Sequence, residues 1–400
     1  MATENSRLRS LMPPLHPRDP EQHHRAATPL ELLFDLVSVI AIASAAVGLH
    51  HAISEAHAVE GVLSFGMAFF AIWWAWMNFT WFASAYDNDD TAYRLLTMVI
   101  MGGALVVAAG IPGIFADQPD FTMVITGYVV MRIAMTVLWL RAGCADTAHR
   151  RTALAYAIGI ALVQIYWVVF LLVQPLSGPL GYGMWLVGFV LELSVPAVAE
   201  PLTQTTPWHR HHIVERYGLL LIIVLGETLL SGSLALRQSA EAFNIMLVHT
   251  ALSALVIVFA LWWVYFSPDP HLQDRNLRRA LIWGYGHFVI FASGAAIGAG
   301  FGVLVDVITG HAKVSLVIGD YAVAIPVALF LGGLWLVRDQ FVCRGKAKFA
   351  LPACAVLVLI APIIGLGLEG VAAATALCAI LRSWLTSRHV APGEPSHQTQ

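Results

Sequence analysis

Long apolar runs separated by short polar clusters dominate the chain. A helix needs about 20 apolar residues to cross the hydrocarbon, because backbone amides cannot stay unpaired in lipid. Runs of that kind predict helices near 30–49, 61–84, 95–115, 121–141, 152–173, 180–199, 213–236, 243–266, 280–305, 316–337, 350–367 and 370–386. The expected fold class is therefore all-α, a polytopic transmembrane bundle of about twelve spans. The last two runs are short and meet at Gly367-Leu368-Glu369-Gly370, which leaves a re-entrant hairpin open as an alternative. Residues 1–28 are polar and precede the first apolar run, so a cleavable signal peptide is not expected and the first span serves as its own insertion signal.

Lys and Arg mark cytoplasmic loops. One side of the predicted bundle carries Arg7, Arg9, Arg18 and Arg25, then Arg94, Arg141, Arg150, Arg151 and Arg210. It also carries Arg275, Arg278, Arg279, Arg338, Arg344, Lys346, Lys348 and Arg388, whereas the other side has Arg237 and Lys313. Both termini are accordingly expected in the cytoplasm of a cell whose inner membrane holds the protein. Phe70-Ala71-Ile72-Trp73-Trp74 is echoed by Phe259-Ala260-Leu261-Trp262-Trp263, Leu138-Trp139-Leu140-Arg141 by Leu334-Trp335-Leu336-Val337-Arg338, and Glu31 opening span one by Glu215 opening span seven. Offsets of roughly 184 to 197 residues suggest two parallel six-helix halves, 29–200 and 201–388, between a polar amino tail (1–28) and a short carboxyl tail (389–400).

Composition sharpens the class: 58% apolar and 12% charged residues lie far from globular usage, and lipid is the expected solvent. A net charge of -3 offers no basic surface to nucleic acid. Cys144, Cys343, Cys354 and Cys378 form no CxxC pair, and read as isolated reduced thiols rather than a disulfide framework or metal site. Trp81, Tyr86, Trp139, Trp208, Tyr265 and Trp335 lie near span ends, where the headgroup zone is the expected environment. Nucleotide-binding and hydrolase motifs are missing, which argues against ATP-driven pumping.

An ionisable side chain near the bilayer centre costs about 2.5 to 3.5 kcal/mol on insertion scales, so such groups face a partner or a wet cavity. Arg132, Glu192 and Glu227 sit near the middle of spans four, six and seven, and His287 lies within span nine. Arg132 needs an acid at that depth, either Glu227 or Glu192. These four residues are the expected substrate or proton path. At the cytoplasmic boundary, Glu31 and Asp35 share one helical face. Asp87, Asp89, Asp90 and Arg94 form the loop after span two, and His212, Glu215 and Arg216 share one side of the span-seven helix. Together they form the expected cytoplasmic mouth. Ordinary helix-end acids, a solvated turn and surface histidines are the alternative reading of the same residues. No cofactor and no metal site is expected.

These motifs carry a resemblance. Thr28-Pro29-Leu30-Glu31-Leu32-Leu33-Phe34-Asp35-Leu36-Val37, Trp81 with Tyr86 through Arg94, and His212-Ile213-Val214-Glu215-Arg216-Tyr217-Gly218 leading to Leu225-Gly226-Glu227-Thr228 resemble the bacterial low-temperature-requirement A family over most of residues 28 to 390. Ser38, where an aromatic or apolar residue is expected, and Tyr217, where phenylalanine is usual, depart from its pattern. The resemblance implies a many-span inner-membrane protein linked by name to growth in the cold. The leading functional expectation is a secondary transporter or permease for a small solute, with Glu227 as proton-coupling acid. The alternatives are a membrane-embedded enzyme acting on a lipid or isoprenoid-like substrate through the cytoplasmic carboxylates, and a non-transporting scaffold or sensor. The expected partners are the bilayer and a small solute or proton; oligomeric state is left open.

Overall fold

The computed structural model describes residues 13–23, 25–173, 178–241, 244–267, 272 and 276–387. Arg7, Arg9, Arg275, Arg388 and the 389–400 tail lie outside the described residues. Twelve long helices and no strand occur among those described. They are α1 (Pro29–Ser54), α2 (Ala58–Tyr86), α3 (Thr91–Ile114), α4 (Thr122–Ala145), α5 (Arg150–Leu172) and α6 (Gly178–Ala199), followed by α7 (Arg210–Glu241), α8 (Ile245–Tyr265), α9 (Leu277–Thr309), α10 (Leu316–Leu334), α11 (Ala350–Ile363) and α12 (Gly367–Ser387). Each coincides with a predicted run. Eleven of the described helices have an apolar stretch long enough to cross a bilayer. The other, α7, carries the charges described below.

The chain forms two compact units. The first holds 13–52, 57–223 and 276–279, the second 53–56, 224–267 and 280–387, so the boundary falls inside α7 between 223 and 224.

In the first unit α2 is the core: from Met67 to Phe79 every side chain is buried. On α1 the usual order of a soluble protein is reversed. Glu31, Asp35 and Ser38 are buried, while Leu33, Leu36, Ile40 and Val47 are exposed, as lipid-facing positions should be. Helices α3 and α4 approach through glycines. A Cβ on Gly127 would lie 2.6 Å from the Gly103 carbonyl oxygen, and one on Gly103 would lie 2.7 Å from that of Gly127. Small residues at such points let helix backbones touch, where dispersion rather than water exclusion holds membrane helices together. Asp90 starts α3 by accepting a hydrogen bond from the Tyr93 amide.

The segment before α1 is structured. Arg25 donates to the carbonyls of Ala83 and Ser84, Arg18 to that of Asp87, and His209 pairs with that of Gln22. A buried arginine thus caps carbonyls of the last turn of α2, of which that of Ala83 also accepts from the Asp87 amide. The expectation that aromatic residues at span ends sit among headgroups fails for Tyr86, Trp139, Trp208 and Tyr265, which are buried. Ring packing is the reason in the first unit: Trp139 stacks on Tyr156 at 4.0 Å and Trp208 meets Trp81 edge-on at 4.9 Å.

In the second unit, α10 passes through a wide turn at Trp335–Asp339 and a short helix, Gln340–Val342. Arg338, read as a loop cation, is buried there and donates to the carbonyls of Val264 and Tyr265 at the end of α8. The turn between α11 and α12 lies a few residues earlier than expected, at 364–366, with φ positive at Gly365 (78°) and Gly367 (53°). Glu369 consequently falls in the first turn of α12, which has membrane-spanning length, as does the 19-residue helical stretch Gly345–Ile363 that ends in α11. Cys354 and Cys378 are free thiols, both buried, that face each other across this hairpin.

Candidate functional site

Two groups of buried charges stand out in the first unit. The α1–α7 group is built from acids on α1 and bases on α7. Glu31, Asp35, His212 and Arg216 are fully buried. Glu31 Oε1 lies 3.0 Å from Arg216 Nη1 and 3.2 Å from His212 Nε2, and Glu31 Oε2 accepts from the Thr28 amide at 2.8 Å. Asp35 Oδ1 accepts from Arg216 Nη2 and, at 2.7 Å, from the indole of Trp76 on α2. Glu31 pairs with His212 and Asp35 with Arg216, each across 181 residues. Two pairs in the same register mean that the amino-terminal parts of α1 and α7 run side by side in the same direction.

Several polar atoms in this group have no hydrogen-bond partner: Asp35 Oδ2, Glu31 Oε1, His212 Nδ1, and Nε and Nη1 of Arg216. The nearby hydroxyls of Thr80 and Tyr93 are also unpartnered, Tyr93 lying within electrostatic reach of Glu31, Asp87, Arg25 and Arg216. Each unsatisfied buried group costs about 1–3 kcal/mol. The ion contacts between Glu31 Oε1 and its two bases are close without being directed, so incoming donors and acceptors can replace them.

Glu215 does not join this group. It is exposed and accepts a long hydrogen bond, 3.4 Å, from the Ala27 amide. Positions 212 and 216 are successive rungs of one helical stripe, and α1 sits on that stripe; position 215 falls on its far flank. The Asp87–Arg94 loop is likewise dispersed. Asp89 pairs with Arg94 at the surface, Asp90 pairs with Arg141 at 2.7 Å, and Asp87 accepts from the Asp89 amide. Three neighbouring carboxylates are drawn to three separate partners rather than to a common point. Burial, followed by the negative charge of Glu31, pushes the Asp87 carboxyl up to about 6. Burial also brings the Arg25 guanidinium down to about 10, and Arg18 adds to the effect.

The second group is centred on Glu192. Its carboxylate accepts from Trp74 (2.8 Å), Tyr128 (2.8 Å), Arg132 (2.7 Å), Trp167 (3.2 Å) and Gln164 (3.3 Å). These donors come from α2, α4 and α5, so one acid on α6 ties four helices together. Of the two acids expected to serve Arg132, this is the one that does. The remaining Arg132 nitrogens, Nε and Nη1, have no partner, and the guanidinium lies 5.6 Å from the Tyr128 ring centre.

The remaining expected residues lie in the second unit. Glu227 is half-buried on α7, and no ion pair to it occurs among the described residues. His287 is fully buried, its Nδ1 2.7 Å from the Trp283 carbonyl and its Nε2 3.1 Å from the Tyr265 hydroxyl. A carbonyl only accepts, so Nδ1 carries the hydrogen and Nε2 accepts from the tyrosine. Sequence reasoning missed a third charged group in this unit. Arg382 holds Asp339 through two hydrogen bonds, 2.8 and 3.0 Å, and Arg338 reaches the same carboxylate at 2.8 Å. An arginine interrupting the apolar run of the last span was the available signal.

Membrane-length helices with charges sealed among them define a multi-pass α-helical membrane protein. The chain belongs to the bacterial low temperature requirement A protein (LtrA) family, whose profile matches residues 26–385. It is similar to Uncharacterized protein RA0937 of Rhizobium meliloti (strain 1021), 28% identical over 279 residues that cover 65% of each chain. The chain thus spans about two thirds of the length of that curated relative. No solved structure gives a significant match.

Proposed function

We propose that the protein is a secondary transporter for a small polar solute, with Glu31, Asp35, His212 and Arg216 as the binding site. One observation carries the reading: fully buried groups of both signs stand together as ion pairs, with several of their polar atoms outside any directed hydrogen bond. A solute with complementary groups, or water in its absence, relieves their cost, and a membrane protein retains intramembrane charge mainly for such use. Arg132 and Glu192 serve in this reading as a fixed clamp, and Glu227 carries the coupled proton. Both chain ends face the cytoplasm at the inner membrane, supported by the Arg and Lys asymmetry and by the like direction of α1 and α7, which requires an even number of crossings before α7. The echoed Phe-Ala-x-Trp-Trp segments support two repeated six-helix halves.

The second reading, a scaffold that moves nothing, is favoured by the five donors around Glu192. Uptake into proteoliposomes under an imposed pH gradient, with a panel of amino acids, small carboxylates and amines, separates the two. Transport of at least one panel member is expected, abolished by Asp35→Asn or Arg216→Lys and uncoupled from pH by Glu227→Gln. Wild-type vesicles that take up no panel member, or an Asp35→Asn variant as active as wild type, would overturn the proposal.

A further inference from the structure

In the second unit the chain runs from α10 into α11 through a basic segment. Arg344, Lys346 and Lys348 fall close together there, and a short 3₁₀ helix, Gly345–Phe349, carries the two lysines directly into α11. Residues three apart eclipse in such a helix, so it has three edges. Ala347 and Ala350 lie on the buried edge. Lys346 and Phe349 share another and are exposed, the phenylalanine by 61%. Arg344 is exposed and Lys348 half-buried, and Phe341 just before them is a second exposed ring.

Helix length sets the depth of this segment. The five residues of the 3₁₀ helix at about 2.0 Å each, followed by the fourteen of α11 at about 1.5 Å, give about 31 Å, one hydrocarbon thickness. The 3₁₀ helix therefore lies at the edge of the hydrocarbon. Lys346 extends its ammonium to the headgroup level, and Phe349 sits about 6 Å deeper, where acyl chains begin.

The three cations are also without counter-charge. Elsewhere the exposed or half-buried bases find carboxylates: Arg94 pairs with Asp89, Arg141 with Asp90 and Lys313 with Glu55. Among the described residues no ion pair reaches Arg344, Lys346 or Lys348. From Tyr321 to Leu368 the single carboxylate is Asp339, and Arg338 and Arg382 already hold it.

An occupant must bring negative charge to the headgroup level and an apolar chain to the ring beneath it. A free phosphate or an acidic peptide has no chain for Phe349, and a zwitterionic lipid sets its own ammonium against three cations. We propose that Arg344, Lys346, Lys348 and Phe349 form a binding site for one anionic phospholipid, its phosphate on the cations and its upper acyl carbons against the ring. One basic residue beside an anionic membrane surface strengthens association about fivefold, and here three act on one headgroup. The site does not depend on the transport reading.

Native mass spectrometry of the full-length protein in detergent, titrated with dioleoylphosphatidylglycerol or dioleoylphosphatidylethanolamine, tests the assignment. The anionic lipid should fill a first site about tenfold more tightly than the zwitterionic one. Lys346→Gln/Lys348→Gln should remove that preference, and Lys346→Arg/Lys348→Arg should keep it. Arg150→Gln/Arg151→Gln takes two exposed charges from a different loop and should leave the preference intact. Phe349→Ala should weaken both lipids. Equal affinity for the two lipids, an undiminished preference in Lys346→Gln/Lys348→Gln, or the same loss in Arg150→Gln/Arg151→Gln would each overturn the proposal. So would unchanged binding in Phe349→Ala, or soluble glycerophosphoglycerol displacing the anionic lipid as well as an equal concentration of intact lipid does.

Discussion

At the residue scale the guiding quantity is the cost of charge away from water. It identified Glu31, Asp35, Arg132, Glu192 and Arg216 from the sequence, because each interrupts an apolar run. It could not pair Asp35 with Arg216, since 181 residues separate them and only folding brings them together. Nor could it find Asp339, because a charge beside a predicted loop looks solvated; only the wide turn of α10 carries it inward. Asp87 offers a test at this scale. Its carboxyl titrates near pH 6 in the fold, against an ordinary 3.8. The folded state therefore binds this proton more tightly than the unfolded chain does. As pH falls from above 6 toward 4 the fold gains stability from this residue, and below about 3.8 it gains no more. Asp87→Asn keeps an oxygen for the Asp89 amide and removes the charge. Thermal unfolding in detergent should show this variant more stable than wild type at pH 8, with the gap closing by pH 4.5. A gap independent of pH would mean that Asp87 is not the titrating group.

At the element scale the apolar runs gave every long helix, and the errors lie at their ends. The helices extend past the apolar cores because caps and pairs sit outside them: Asp90 before α3, Asn244 before α8, Arg25 over the end of α2. Apolar length reports what must be hidden from water, whereas helix ends depend on where orphan amides and carbonyls find partners. Contact between helices was not legible either, since glycines are scattered along the chain and most do not mark a crossing. Gly103 and Gly127 do, and a comparison with Gly102 shows it. A Cβ on Gly127 meets backbone atoms at 2.6 and 2.7 Å, whereas one on Gly102 meets nothing within 4 Å. Gly127→Ala should force α3 and α4 apart and cost about 1–3 kcal/mol. Gly102→Ala should be neutral or slightly stabilising, because alanine favours the helix. Equal unfolding temperatures for the two variants would remove the close crossing.

At the scale of the whole molecule the remaining question is which way the bundle faces, and the chain carries its own reporter. The expected topology gathers arginine and lysine in the loops of one side, including Arg141, Arg150 and Arg151 around Cys144, and puts Lys313 on the other. The like direction of α1 and α7 agrees with that division: six crossings return the chain to the side from which α1 began. Cys144 is exposed, whereas Cys354 and Cys378 are buried. A thiol reagent that cannot cross membranes therefore reads Cys144 with little interference once Cys343 is replaced by serine. In intact cells whose outer layer has been opened, Cys144 should remain unlabelled and should react in inverted vesicles. A cysteine introduced at His311, exposed in the loop beside Lys313, should do the opposite, reacting from outside. Reversal of both results would turn the protein over and move the α1–α7 group to the outer face. Labelling of both from one side would break the alternation of loops on which the count of spans depends.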